Sequence, residues 1–139
     1  MDKSQSVGIS QIIEDWQDRD LRQEATQELM RIFDVWDLAG REQLELLGFR
    51  TDDVECLGRL HKGVKILPED EQSCRRAMSI LSIQRSLEEF APANPEWRDD
   101  WVHQAIKGLG AERPIDIMLH EGLPGIERIR LYTKTLGHR

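Results

Sequence analysis

The stretch Gly110-Ala-Glu-Arg-Pro-Ile-Asp-Ile-Met-Leu-His-Glu-Gly122, continued by Leu123-Pro-Gly-Ile-Glu-Arg-Ile-Arg-Leu-Tyr132, reads as two linked helices. Pro114 suits the first turn of a helix, where a missing N–H leaves no bond unmade, and Gly122 suits a left-handed residue that closes one. A helix of about two turns is too short to persist alone in water. It needs a partner. The residues after the Leu123-Pro124-Gly125 corner supply one, with Ile126, Ile129, Thr133 and Leu136 at three- and four-residue spacing.

Upstream, Trp97, Trp101, Val102, Ala105 and Ile106 predict another amphipathic helix ending at Gly108 or Gly110, with the tryptophans as core anchors. Before it, Pro68-Glu69-Asp70-Glu71 opens a long helix with acids in its first turn. Cys74, Ala77, Met78 and Leu81 form one face of that helix, and Ile80, Ile83, Leu87 and Phe90 widen it until most of the circumference is apolar. It is expected to be the central helix, stopped by the corner Ala91-Pro92-Ala93-Asn94-Pro95.

Between Leu29 and Ile66 the spacing has the outline of a helix-turn-helix. Leu29, Ile32, Phe33 and Trp36 stripe one helix, which ends near Ala39-Gly40. Leu44 and Leu47 mark a short second helix stopping at Gly48-Phe49. A third is expected from Thr51 as N-cap, with Val54, Leu57 and Leu60 facing inward. On such a recognition helix Thr51, Asp52, Glu55 and Cys56 would face a groove, with Asp53 beside them, and base edges and phosphates offer carboxylates few donors. Arg50, Thr51, Arg59, His61 and Lys62 are the residues placed to touch DNA. Residues 29 to 66 hold 7 acids and 6 bases, so that binding would rest on a dimer in which two weak half-sites reinforce each other. The first 28 residues carry 7 acidic and 3 basic side chains, and Ile9, Ile12, Ile13 and Trp16 stripe a helical arm that packs on the body or on a second copy.

The division expected is therefore an acidic helical arm over 1–28, a helix-turn-helix-like region over 29–66 and a helical C-terminal unit over 67–139. All of it is α-helical. At 139 residues the chain suits one compact unit or two small helical subdomains. A net charge of −7 argues against broad attachment to nucleic acid or an anionic membrane. Cys56 and Cys74 lack close Cys or His neighbours in sequence and read as reduced thiols. No charged-then-apolar leader and no apolar run of membrane length occurs, so the expected setting is the cytoplasm. No catalytic pattern emerges and no cofactor or metal is expected. His61, His103, His120 and His138 lack metal-ligand spacing, no glycine loop cradles phosphate, and Asp99-Asp100 and Glu88-Glu89 point apart on a helix.

Three motifs carry a family resemblance: Trp101-Val102, Gly110-Ala-Glu-Arg-Pro-Ile-Asp116, and Gly122-Leu-Pro-Gly-Ile-Glu-Arg-Ile129. In that order the chain resembles the Xre/MbcA/ParS antitoxins, whose toxin-binding domain has a Trp-Leu-like pair, a Gly-x-x-Arg-x-Pro-Leu-Asp-like turn and a Gly-Leu-x-Gly-Val-x-Arg-Val-like helix start. The likeness runs from about Leu29 to Leu136 and leaves the arm outside. Two places depart from it. Thr51-Asp-Asp-Val-Glu55 stands where many relatives have an Arg/Lys- or Ser-rich recognition helix, and Gln104-Ala-Ile-Lys-Gly108 stands where they have an Asn.

The resemblance implies an antitoxin, dimeric, that neutralises a RES-domain toxin acting on NAD by breakdown or ADP-ribosyl transfer, covering the entrance to its NAD pocket and with operator autoregulation attached. The residues themselves are compatible with it. Residues 113 to 139 hold 5 bases and 3 acids. Around the last helix Leu131 falls opposite the apolar stripe, among Arg128, Arg130 and Lys134, as a docking surface would have it; Arg113 and Arg139 complete the candidate toxin-binding set. Arg113 either contacts the toxin or holds its own turn, and Asp116 complements the helix dipole. The competing reading is a helix-turn-helix transcriptional regulator with no toxin partner.

Overall fold

The computed structural model describes residues 11–137, so that Ile9 of the arm, His138 and Arg139 of the candidate toxin-binding set lie outside the described residues. Within them the chain is all-α. A short helical segment over 11–15 is followed by α1 (Arg19–Val35), α2 (Gly40–Leu47), α3 (Val54–Lys62), α4 (Glu71–Phe90), α5 (Pro95–Asp100), α6 (Pro114–Glu121) and α7 (Leu123–Lys134), with single 3-10 turns at Trp101–His103 and Lys107–Leu109. Among these residues no helix is long and apolar enough to cross a membrane.

The helix starts follow local chemistry. Asp18 accepts the N–H groups of Asp20 and Leu21 ahead of α1, Asp53 accepts that of Cys56 ahead of α3, and Asn94 that of Trp97 ahead of α5. Asp70 caps α4 by accepting the Ser73 N–H at 2.8 Å, and this bond holds its carboxyl below the usual Asp range. Pro68 therefore does not open α4: it lies outside the helix, and its carbonyl accepts the Trp16 indole N–H at 2.8 Å.

Helix α4 is central, as its apolar circumference predicts. It packs along α7 on one side and α1 on another, with Cys74, Ala77, Ile80, Ile83 and Leu87 buried. One hydrophobic cluster runs from Trp16 through Trp36, Leu60 and Ile83 to Ile129. The expected limits at 28/29 and 66/67 do not coincide with breaks in it: α1 passes uninterrupted through residues 28 and 29.

The described part of the arm, from residue 11 on, packs on the body. Trp16 is fully buried. Arg22, nearly buried, donates to the carbonyls of Trp16 (3.0 Å), Gln17 (2.9 Å) and Leu67 (3.1 Å). Thr26 adds a further link, its hydroxyl accepting the Leu67 N–H at 3.0 Å. A buried guanidinium is tolerable because its donors are met by these carbonyls, with Glu69 4.0 Å away.

Two expected elements differ. The third helix begins at Val54, not Thr51, because Asp53 supplies the cap; Thr51 is left in the turn, Val54 is 74% exposed and Cys56 is buried. The helix expected from Trp97 to Gly108 or Gly110 breaks at Asp100 into the 3-10 turn Trp101–His103, after which the backbone is extended at Gln104 and Ile106. Past the break Trp101 and Val102 are both buried.

Candidate functional site

The region containing the three motifs is built around a tight loop and a helical hairpin. Ile106 and Glu112 form an isolated antiparallel bridge, closed by bonds from the Leu109 and Ala111 N–H groups to the Ile106 carbonyl, both 2.9 Å. Gly110 and Ala111 both have positive φ there (70° and 65°), and the alanine bears the strain of a left-handed non-glycine residue. Arg113 is extended, as the residue before Pro114 should be, and α6 starts at that proline.

Between α6 and α7 the chain turns on Gly122 alone, with φ 70° and ψ −144°, a conformation closed to L side chains. The expected corner at Leu123-Pro124-Gly125 is already α7. Gly125 lies inside that helix because the two helices touch there: a Cβ would sit 2.4 Å from the Ile117 carbonyl oxygen. Ile126, Ile129 and Thr133 are buried, as their spacing predicts, and Leu136 is half-buried. Tyr132 stacks on Trp101 with ring centroids 6.3 Å apart, and its hydroxyl lies where a side chain on Gly108 would begin. The Trp101 motif and the α7 motif are thus one packed unit.

The cations of this region have distinct surroundings. Arg113 grips Asp116 through two bonds of 2.7 and 2.8 Å; these hold the Asp116 carboxyl below its usual range and make the Arg113 guanidinium still harder to deprotonate. Arg128 is joined to Glu121 at 3.0 Å, fastening the end of α6 to α7. Arg130 is half-buried and turns to a groove of about 400 Å³ shared with Ile12, Ile13, Met78 and Glu127. Leu131 is 58% exposed on the outer side and Lys134 is exposed with it. The structure therefore keeps Leu131 and Lys134 as an open pair, while Arg113 and Arg128 each meet a carboxylate of the hairpin.

The candidate DNA-contacting residues are arranged differently. Arg50 pairs with Asp52 at 3.1 Å and Arg59 with Glu55 at 2.8 Å. His61 points back to α2, where its Nε2–H donates to Gln43 Oε1 at 2.8 Å, the oxygen being able only to accept. Thr51 is half-buried, and Lys62 is exposed without an ion pair among the described residues. Six residues, Gly48 to Asp53, separate α2 from α3, longer than the tight turn of a repressor-type unit. Sequence spacing put Val54 inward; its exposure, and the open surface around Gly58, emerge only from the fold.

Burial raises the thiol pKa of both Cys56 and Cys74. Among the described residues no three His, Cys, Asp or Glu side chains gather as they would around a metal ion. No protein-family model matches the chain, and no match was found among curated proteins or solved structures.

Proposed function

We propose that this chain is the antitoxin of a type II toxin–antitoxin module, binding a RES-type toxin that consumes NAD or transfers ADP-ribose and blocking it sterically. The observation that carries the reading is Leu131, 58% exposed on the side of α7 away from the core, with Lys134 beside it. A large apolar side chain ringed by polar groups is the form of an interface anchor. It lies on α7, two residues past the last of the three motifs on which the family resemblance rests. Arg128 and Arg113 join the contact by exchanging their intramolecular carboxylates for those of the partner.

Co-expression with the neighbouring coding sequence tests the whole reading. A RES-like neighbour that co-purifies with this chain is the expected result, and a neighbour of another kind, or no complex, removes it. Leu131→Asp is expected to leave the helical content unchanged while weakening the complex; unchanged affinity would move the contact off α7. Operator autoregulation has less support, since Arg50 and Arg59 are each closed onto an acid of their own segment. A mobility-shift assay with the upstream region, on the free protein and on its complex, decides that part and the competing reading of a regulator without a toxin.

A further inference from the structure

The segment over 11–15, the middle of α4 and the inner side of α7 enclose the groove of about 400 Å³ to which Arg130 turns. That size lies within the range of about 300–1,000 Å³ usual for small-molecule sites. Ile12 and Ile13 of the arm, with Cys74 and Met78 of α4, give it apolar walls. Its charged residues are two arginines and one acid. Arg75 is closed onto Glu71 at 3.0 Å and reaches Glu127 at 3.5 Å, so the acid of the groove is already answered. Arg130 is half-buried and, unlike Arg128, its side chain forms neither an ion pair nor a hydrogen bond among the described residues.

The α4 wall carries a second polar group left open. Ser79 is 4% exposed and lines the groove, yet its hydroxyl makes no hydrogen bond among the described residues. The buried threonines instead turn back on their own helices: Thr26 donates to the Arg22 carbonyl and Thr133 to that of Arg130, both at 2.7 Å. Burying a hydroxyl without a bond is costly. An apolar groove with a few open polar groups is the form of a site that orients a small ligand. We infer that this groove binds an aliphatic carboxylate, its hydrocarbon chain against Ile12, Ile13 and Met78, its carboxylate on the Arg130 guanidinium, and the Ser79 hydroxyl donating to it. Arginine presents paired N–H donors that match a carboxylate. A polyphosphate is a poorer occupant, since a single unpaired cation among apolar walls leaves most of its charge unanswered. Leu131 and Lys134 do not line the groove, which leaves the site separate from the proposed toxin contact.

Amide NMR shifts of the full chain, followed during titration with octanoate below its micelle concentration, test this. Saturable shifts centred on the groove are expected, with octanol bound roughly 10-fold more weakly and octyltrimethylammonium not bound. Arg130→Met keeps an apolar stem; it lowers octanoate affinity by roughly 10-fold and removes the preference over octanol, while Arg130→Lys recovers part of it. Ser79→Ala weakens octanoate by roughly 3-fold, the loss of one hydrogen bond. Ser82→Phe, at a half-buried position on the same wall, fills the space and abolishes binding of octanoate and octanol alike. Circular dichroism of each variant without ligand checks that it is folded. Absence of saturable binding overturns the inference. So does equal affinity for octanoate and octanol, or an octanoate affinity unchanged by Arg130→Met or by Ser82→Phe.

Discussion

The α2–α3 pair and the α6–α7 pair are both two helices joined by a turn, and a glycine sits inside the second helix of each. Gly125 in α7 is pressed against the Ile117 carbonyl, with no room for even a methyl group, whereas Gly58 in α3 faces empty space. In the first pair six residues connect the helices, and Val54, the first residue of α3 after its Asp53 cap, faces outward. In the second a single residue, Gly122, sets the hairpin, and close helix contact follows. The same residue type thus marks contact already made within the chain in one place and surface left open in the other.

The contrast breaks most visibly at Gly125. Gly125→Ala drives a methyl group into backbone that has no flexible side chain to move, and a destabilisation of about 1–3 kcal/mol or more is expected in denaturant unfolding. Asp53→Ala removes the cap that sets the start of α3 and is expected to cost about 1 kcal/mol, with helicity lost locally. Gly58→Ala carries the opposite sign: in dilute protein it should stabilise by about 0.5–1 kcal/mol, since the new methyl meets nothing in its own chain. A destabilised Gly58→Ala monomer would erase the distinction between the two glycines.

The smallest effect is expected at the surface of the hairpin. Arg113→Ala breaks a well-formed pair, yet both side chains are close to half exposed, 44% and 48%, and solvent screening limits the loss to about 0.5 kcal/mol. The pair's contribution has a defined pH window. Because the folded protein holds Asp116 below its ordinary value of 3.8, that contribution is complete above this value and is lost as pH falls through the lowered one. Wild-type and Arg113→Ala stability curves should converge in acid.

Much of the hairpin is legible in the residues: Pro114 opens α6, Gly122 closes it, and Ile126, Ile129 and Thr133 face in while Leu131 faces out. Periodicity works there because the helices are regular and one side is fully covered. It fails at Val54, where Asp53 outcompetes Thr51 as cap and the resulting helix turns the valine outward. It fails again at Trp101-Val102, where the α-helix stops at Asp100 and a 3-10 turn followed by extended backbone at Gln104 takes its place. The partners of Arg128 and Arg22 are invisible to helical spacing, since Glu121 lies across a turn and the Leu67 carbonyl lies 45 residues away.

The bonds from α1 to the segment ahead of α4 have a consequence for exchange with solvent. Leu67 lies outside every helix, in a stretch that chain order alone would class as a readily opened connector. Its N–H is nevertheless buried on the Thr26 hydroxyl, which donates in turn to the Arg22 carbonyl at 2.7 Å. Deuterium should therefore reach the Leu67 amide on the schedule of the slowest core amides, when the chain opens as a whole. The connection between Lys62 and Glu71 is thereby a fixed point of the fold, and the excursion from Val35 to Leu67, α3 included, is anchored at both ends.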